Sequence, residues 1–247
     1  MRLIKIQHGV AVETPQASAL PIRHVIGVGL NYKAHAEEQG KDLPAHPMLF
    51  TKNPAACSLS GDEIVVPNVC QDESTGGGGD GRSRGQVDWE AELAVVIGEP
   101  ARDIPEDAAL DVVLGFTAAN DVSARWWQKK GSGGQFNRGK SFDTFCPLGP
   151  ELIAPGDLGN EQSLRLSARV NGEVMQDSTT ADMIFSVKHL IAELSKGTTL
   201  LPGTVILTGT PGGVGMHRSP PIYLQEGDKV EIEIENIGVL TNTVRWE

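Results

Sequence analysis

Residues 88–98 read DWEAELAVVIG, and this stretch has the pattern of a β-strand with two chemically different faces. Because side chains alternate along a strand, Glu90 and Glu92 point to one face and the apolar residues between and after them to the other. The carboxylate face continues into Ala94 and Val96, which indicates that it runs into the protein interior. Two buried like charges repel and lose hydration unless a positive partner, such as a hard cation, compensates them. The alternative is an exposed edge strand with two solvated acids.

A third carboxylate, Asp121, follows a run of small and apolar residues in GFTAANDVSAR, residues 115–125. A charge at this position needs a partner, although an aspartate at the end of such a run is also common in turns and caps. No Cys pair or convergent His cluster accompanies the three carboxylates. As a set, Glu90, Glu92 and Asp121 favour Mg²⁺, Mn²⁺ or Ca²⁺ over Zn²⁺.

Composition limits the class of protein. The 247 residues carry a formal net charge of −11, which argues against binding to nucleic acid or to an anionic membrane. A small anionic substrate remains compatible, because a cation and a few lysines reverse the field locally. The widely spaced Cys57, Cys70 and Cys146 are expected to be free thiols. No signal peptide or membrane-spanning apolar run is visible, so cytosol is the expected location, with mitochondria as the alternative.

The local patterns predict a β-rich α+β fold. Asn171-Gly172 is a type I′ hairpin signal, and residues 235–238 are expected to turn the last two strands back on each other. Helical periodicity is clearest at 186–196, with Ser186 as the N-cap and Gly197 as the stop. Shorter helix candidates lie at 32–39 and 105–113. Alternation or β-branched runs predict strands at 25–30, 92–98, 204–208, 229–235 and 239–245.

The domain organisation is expected to be simple. Residues 1–22 are interpreted as a short N-terminal appendage, and residues 23–247 as one catalytic domain. The stretch QDESTGGGGDGRSRGQ, residues 71–86, has no apolar side chain and is expected to be a flexible insertion in that domain.

Two glycine-rich motifs resemble nucleotide-binding loops. GQFNRGKS, residues 134–141, matches the P-loop pattern, but no strand pattern precedes it, and Pro147 and Pro150 oppose a helix after it. TGTPGGVG, residues 208–215, follows a strand but is not followed by a helix. It is expected at most to present backbone N–H groups to an anion.

His35 and Glu38 lie three residues apart in NYKAHAEEQG, so they would share one face of a helix. A histidine held by a carboxylate is suited to act as a general base, whereas a surface helix in an acidic chain would show the same residues. Lys140 is either a surface lysine or a ligand for a substrate carboxylate, and its position in the sequence does not decide between them.

Taken together, these segments resemble the fumarylacetoacetate hydrolase family. The sequences GKSFDTFCPLGP and TPGGVG are especially similar to those of one branch of the family. This branch consists of small, single-domain proteins and includes enzymes acting on oxaloacetate and on acylpyruvates. The matching segments keep the family's order from about residue 25 to the C-terminus: NYKAHAEE, PMLFTKNPAA, DWEAELAVVIG, GFTAANDVSAR, GKSFDTFCPLGP, VNGEV, LTGTPGGVG and GDKVEIEIENIGVLTN.

The resemblance implies a mixed β-roll fold, a homodimer, and Mg²⁺ or Mn²⁺ held in an open site by Glu90, Glu92 and Asp121. It implies that His35 and Glu38 form a dyad that activates a water molecule. Lys140 would bind substrate and stabilise negative charge, and Thr210 would contact a substrate carboxylate. Further residues expected to line the pocket are Arg125, Gln128 and Lys52.

The expected substrate is a small anionic 2-oxo or 2,4-dioxo acid, whose enolate charge a bound cation would stabilise. The first expectation is C–C bond hydrolysis of the acylpyruvate or fumarylacetoacetate type. The alternatives on the same site are keto–enol tautomerisation or decarboxylation of oxaloacetate. An alternative of another class is a metal- or metabolite-binding protein without catalytic activity.

Overall fold

A computed structural model describes residues 1–14, 18–71 and 84–247. The insertion expected at 71–86 therefore lies outside the described residues for positions 72–83. Within the described ranges, no helix has both the length and the apolar character needed to cross a membrane.

Strands make up most of the regular structure. Seventeen are present in the described residues: β1 (Arg2–Ile6), β2 (Gly9–Glu13), β3 (Ala19–Pro21), β4 (His24–Gly29), β5 (Met48–Lys52), β6 (Cys57–Leu59), β7 (Glu63–Val66), β8 (Val87–Asp88), β9 (Ala91–Ile97), β10 (Val113–Asn120), β11 (Ser123–Ala124), β12 (Cys146–Ile153), β13 (Arg165–Val170), β14 (Glu173–Thr179), β15 (Thr204–Leu207), β16 (Lys229–Ile234) and β17 (Gly238–Trp246).

The helices are short. The α-helices are α1 (Lys33–Glu38), α2 (Asn68–Gln71), α3 (Arg125–Lys129), α4 (Phe136–Lys140), α5 (Pro155–Leu158) and α6 (Val187–Ser195). Single 3-10 turns or short 3-10 helices occupy Pro54–Ala56, Arg84–Gln86, Glu106–Val112, Thr180–Asp182 and Gly215–His217.

The largest sheet has seven strands in the order β5-β4-β15-β9-β10-β12-β6. Strand β4 runs parallel to β15 and β6 parallel to β12, whereas the other pairs in this sheet are antiparallel. A five-stranded sheet, β14-β13-β16-β17-β7, lies beside it, with β1-β2-β3 and the pair β8-β11 as smaller sheets. The β-rich α+β class and the mixed, curled sheet implied by the resemblance are confirmed.

Strand β9 lies in the middle of the seven-stranded sheet and is buried along its whole length. One face packs into the larger hydrophobic core through Leu93 and Val95. The other face packs through Val96 into a second core, which also contains Val12 of β2. The sheet β1-β2-β3 therefore contributes to the core on the side of β9 that carries the carboxylates. The alternative of an exposed edge strand is excluded.

The turn and cap signals are confirmed. Asn171 and Gly172, between β13 and β14, have φ values of 53° and 82°, as a type I′ turn requires. Ser186 caps α6 by accepting a hydrogen bond from the N–H of His189 at 3.1 Å, and Gly197 (φ 64°) follows the helix. The five predicted strands coincide with β4, β9, β15, β16 and β17 to within two residues.

One predicted helix has a different geometry. The segment 105–113 forms a 3-10 helix, Glu106–Val112, rather than an α-helix. It has no side-chain N-cap and runs directly into β10 at Val113, which leaves few residues for a stable α-helix. The three cysteines are free and buried, as expected. The division between residues 1–22 and 23–247 stays a prediction.

The position of β9 generates a stability prediction. Leu93→Ala should lower the free energy of unfolding by about 2–5 kcal/mol, because it leaves a cavity in a core where the side chain is fully buried. Urea unfolding measures the change. The matched control is Leu201→Ala, at a position 53% exposed, which should change it by less than about 0.5 kcal/mol. Equal effects of the two variants would contradict the central placement of β9.

Candidate functional site

Most of the predicted site residues meet at one cavity of about 100 Å³. Glu38, Asp121 and Lys52 do not line it, but each contacts another predicted residue. The cavity is lined by seven of the ten: His35, Glu90, Glu92, Arg125, Gln128, Lys140 and Thr210.

The pairing of β9 with β10 brings the three carboxylates together. Ala119 of β10 is opposite Glu92 of β9, so the chain leaving β10 passes Glu90, and the N–H of Asp121 donates to the Glu90 carbonyl at 2.9 Å. One oxygen from each of Glu90, Glu92 and Asp121 lies within 4.8 Å of the others, and all three residues are buried. The clustering predicted from the sequence is thus present in the structure.

Cationic side chains surround two of these carboxylates. Lys140 Nζ lies 2.8 Å from Glu90 Oε2 and also contacts Asp121 Oδ2. Lys52 contacts the other oxygen of Asp121, and Arg125 Nη1 lies 2.7 Å from Glu90 Oε1. Burial by itself raises the pKa of Glu90, but the charges of Lys140 and Arg125 lower that pKa below its ordinary value.

Asp88 belongs to the same network, although the sequence interpretation did not single it out. It is fully buried, and its Oδ2 accepts a hydrogen bond from Arg125 Nε at 2.9 Å. The pairing directs Arg125 toward Glu90. Asp88 precedes Glu90 by two residues, so the alternation that identified Glu90 and Glu92 could have identified it too.

Glu92 is the carboxylate without a cationic partner. Four buried carboxylates face three cations, and in the described part of the chain no Lys or Arg lies within ion-pair distance of Glu92. Among the described residues, its Oε2 accepts a hydrogen bond only from the N–H of Gly209, at 2.6 Å. Burial, followed by the charges of Asp121 and Glu90, raises the pKa of Glu92 well above its ordinary value.

This excess of negative charge fits a divalent cation. The donors are hard carboxylate oxygens, which Mg²⁺ and Mn²⁺ prefer. Ligand oxygens about 2.0–2.6 Å from a central ion can lie as far apart as the cluster of Glu90, Glu92 and Asp121 places them. A buried acidic triad able to hold a divalent metal is therefore a property of this structure.

The glycine-rich loop 208–215 does present N–H groups to anions, and the anions are the protein's own carboxylates. Besides the Gly209 contact with Glu92, the N–H of Gly213 donates to Glu38 Oε1 at 3.0 Å. The N–H of Gly215 donates to Asp88 Oδ1 at 2.7 Å. The loop thus orients the acidic side chains instead of leaving these donors for a nucleotide.

His35 and Glu38 form a hydrogen-bonded pair on α1. His35 Nδ1 donates to Glu38 Oε2 at 3.0 Å, and the amide of Gln39 donates to His35 Nε2 at 2.8 Å. Burial alone raises the pKa of Glu38, but hydrogen bonds from His35 and Gly213 lower it below its ordinary value. His217 was not predicted; its ring lies 5.8 Å from that of His35, and it also lines the cavity.

Lys140 is a buried cavity residue and not a surface lysine. It ends α4, which packs so closely on α3 that a Cβ at Gly139 would lie 2.3 Å from the Gln128 nitrogen. Residues 134–141 are preceded by α3 and followed by β12, so the rejection of a P-loop is confirmed. Burial lowers the pKa of Lys140, but the charges of Asp121 and Glu90 raise it overall.

Two of the predicted substrate contacts are engaged within the protein. Thr210 Oγ1 donates to the Ala91 carbonyl at 3.0 Å and accepts from Gln176 Nε2 at 2.8 Å. Gln128 Oε1 accepts from Arg125 Nη1 at 3.0 Å. Gln176 was missed because a single polar residue in a strand carries no local signal.

The placement of Lys52 differs from the expectation. The resemblance put it in the pocket lining, but its buried ammonium contacts Asp121 and donates to the Phe145 carbonyl at 2.7 Å. Lys52 therefore orients a carboxylate and does not face the cavity, because Asp121 attracts its charge into the interior.

Known proteins share this architecture. Residues 24–245 match the family model described as fumarylacetoacetate (FAA) hydrolase, C-terminal. The solved structure of fumarylacetoacetate hydrolase from the psychrophile Exiguobacterium antarcticum is 39% identical, covers 92% of this chain and 76% of its own, and superposes with a TM-score of 0.79.

Two curated relatives are similar over most of the chain. The human mitochondrial oxaloacetate tautomerase FAHD2A is 44% identical over 89% of this chain, and the chain spans 66% of that relative's length. The oxaloacetate tautomerase YisK of Bacillus subtilis (strain 168) is 43% identical over 91% of this chain and 70% of its own length. Sequence, fold and the buried acidic triad agree, and the chain belongs to the fumarylacetoacetate hydrolase family.

Proposed function

We propose that this chain catalyses the keto–enol tautomerisation of oxaloacetate or a closely similar small 2-oxo acid. The observation that carries the proposal is that Glu92, a buried carboxylate without a cationic partner among the described residues, lines the same cavity as His35, which is paired with Glu38. The names of the similar human and Bacillus proteins favour tautomerisation over the C–C hydrolysis first expected from the sequence.

The proposal assigns the cation to Glu90, Glu92 and Asp121. When bound there, Mg²⁺ or Mn²⁺ supplies Lewis-acid stabilisation of the negative charge that develops on the 2-oxo oxygen. Lys140, a cavity-lining ammonium 2.8 Å from Glu90, adds positive charge in the same region. Arg125 is held in place by Asp88 and helps to offset the acidic floor.

His35 is assigned the proton transfer. Tautomerisation removes one proton from C3 of the substrate and delivers one to the 2-oxo oxygen, so no water is consumed and no C–C bond breaks. Glu38 accepts a hydrogen bond from Nδ1–H of His35, so Nδ1 keeps its proton. Nε2 of His35 is therefore the ring nitrogen that accepts the proton from C3. The Gln39 amide that contacts Nε2 has to give way to the substrate.

Two expectations from the sequence stay predictions. Homodimer formation and a cytosolic or mitochondrial location belong to this group. A binding protein without catalytic activity is the alternative of another class, and it requires that the metal-loaded protein turn over no 2-oxo acid.

The proposed reaction is tested by following oxaloacetate with and without Mn²⁺. Enol absorbance should relax to equilibrium faster with the metal-loaded protein, without matching release of CO₂ or pyruvate. Glu92→Gln should lower the metal-dependent rate at least about 100-fold, because a neutral amide is a poor ligand for a hard cation.

The control is Glu161→Gln, a buried glutamate that does not line the cavity and should leave the rate unchanged. Acetylpyruvate and fumarylpyruvate belong in the same panel. If either compound is converted to pyruvate faster than oxaloacetate is tautomerised, C–C hydrolysis replaces the proposed reaction.

The raised pKa of Glu92 predicts a pH effect on the metal-free protein. The folded state holds this proton more tightly than the unfolded state, so its contribution to stability falls as pH rises above the ordinary value of 4.5. Glu92→Gln cannot ionise and escapes this loss, which grows by about 1.4 kcal/mol for each pH unit between the unfolded and the folded pKa. Urea unfolding in EDTA should show the variant gaining stability relative to wild type between pH 5 and pH 8. A difference independent of pH would contradict this assignment.

The assignment of His35 is tested separately from metal binding. His35→Gln should lower kcat about 10²–10⁴-fold, the usual effect of losing a general base, while Mn²⁺ affinity measured by calorimetry stays unchanged. His189→Gln is a matched control, since His189 Nδ1 pairs with Glu106 at 2.8 Å away from the cavity. Unaltered kcat in His35→Gln would remove this residue from the reaction.

A further inference from the structure

Two lysines outside the predicted site lie at the same cavity. Lys41 follows α1, the helix that carries His35, and Lys129 is the last residue of α3, the helix that begins with Arg125. Both lysines are exposed, whereas Glu90 and Glu92 are buried. The carboxylates therefore form the floor of the cavity and the two lysines lie at its mouth.

Neither ammonium has a carboxylate partner among the described residues. Across the residues that the structure describes, no carboxylate lies within ion-pair distance of Lys41 or Lys129, although the chain has 32 acidic and 21 basic residues. By contrast, the buried Lys52 and Lys140 are both paired with Asp121.

The charge of Lys41 also affects Lys129. Partial burial, followed by the charges of Arg125 and Lys41, lowers the pKa of Lys129 below its ordinary value. Like charges kept close together at a cavity mouth are unfavourable in the free protein. An anion bound between them would remove that cost.

A dicarboxylic 2-oxo acid has the matching charge pattern. One carboxylate and the 2-oxo oxygen lie at one end, and the second carboxylate lies at the other. With the first end at the acidic, cation-binding floor, the second points toward the mouth. We propose that Lys129, together with Lys41, forms a subsite for the distal carboxylate and makes the site selective for dicarboxylic over monocarboxylic 2-oxo acids. The orientation of the substrate rests on the proposed function.

The test compares two ligands that differ by a single group. In 3,3-dimethyl-2-oxobutanedioate, C3 carries a carboxylate, and in 3,3-dimethyl-2-oxobutanoate a methyl group replaces it. Neither ligand has a hydrogen on C3, so neither can enolise and binding is measured without tautomerisation. Both are titrated calorimetrically into the Mn²⁺-loaded protein, over times in which no CO₂ is released.

Wild type should bind the diacid about tenfold more tightly than the monoacid, a preference that weakens with added salt. Lys129→Met and Lys41→Met should each reduce this preference about threefold to fivefold, as expected for partly solvated charge pairs, and the double variant should nearly remove it. Affinity for the monoacid should not change. Lys130→Met, a neighbouring exposed lysine that does not line the cavity, is the matched control.

Three results would overturn the subsite: a wild type with no preference for the diacid, lysine variants that keep the preference, or an equal loss in Lys130→Met. Absence of oxaloacetate turnover in wild type, with the preference still reduced by Lys129→Met, would instead overturn the proposed reaction and leave the subsite intact.

Discussion

Burial of Glu92, with no cationic partner in the described part of the chain, is the constraint around which the site is organised. An ionised carboxylate in the interior is costly unless positive charge compensates it, and the three buried cations, Lys52, Arg125 and Lys140, are already paired with Asp88, Glu90 and Asp121. A single N–H from Gly209 offsets only part of that cost. The site is therefore built to be completed by a cation, and this requirement connects the fold with the chemistry.

The fold meets this requirement with short elements that are far apart in sequence. The β9–β10 register places the acids, α3 and α4 supply the cations, and loop 208–215 orients three carboxylates through its N–H groups. Gly139 is needed where it stands because α3 and α4 approach too closely for any side chain. Small changes in helix packing would therefore move Lys140 relative to Glu90 and Asp121.

The cavity carries charged side chains at both its floor and its mouth, and this distribution of charge bears on substrate choice. Its floor carries Glu90 and Glu92 with the cations that offset them, and its wall carries His35, which is paired with Glu38. Its mouth carries two lysines without ion-pair partners among the described residues. A small molecule with charge at both ends matches this distribution of charge. The chain spans 66% of the length of the human relative, so its own substrate preference is argued from these residues.

The sequence by itself determined the features that depend on local backbone chemistry. Alternation in 88–98 predicted a strand with both acids on one face, Asn171-Gly172 a type I′ turn, and Ser186 a helix start, because each signal lies within a few residues. Only the tertiary structure decided that Lys52 contacts Asp121 instead of lining the cavity. It also decided that the glycine loop uses its N–H groups on the protein's own carboxylates. Those partners are separated by up to 175 residues, and which charges pair depends on burial that no local pattern specifies.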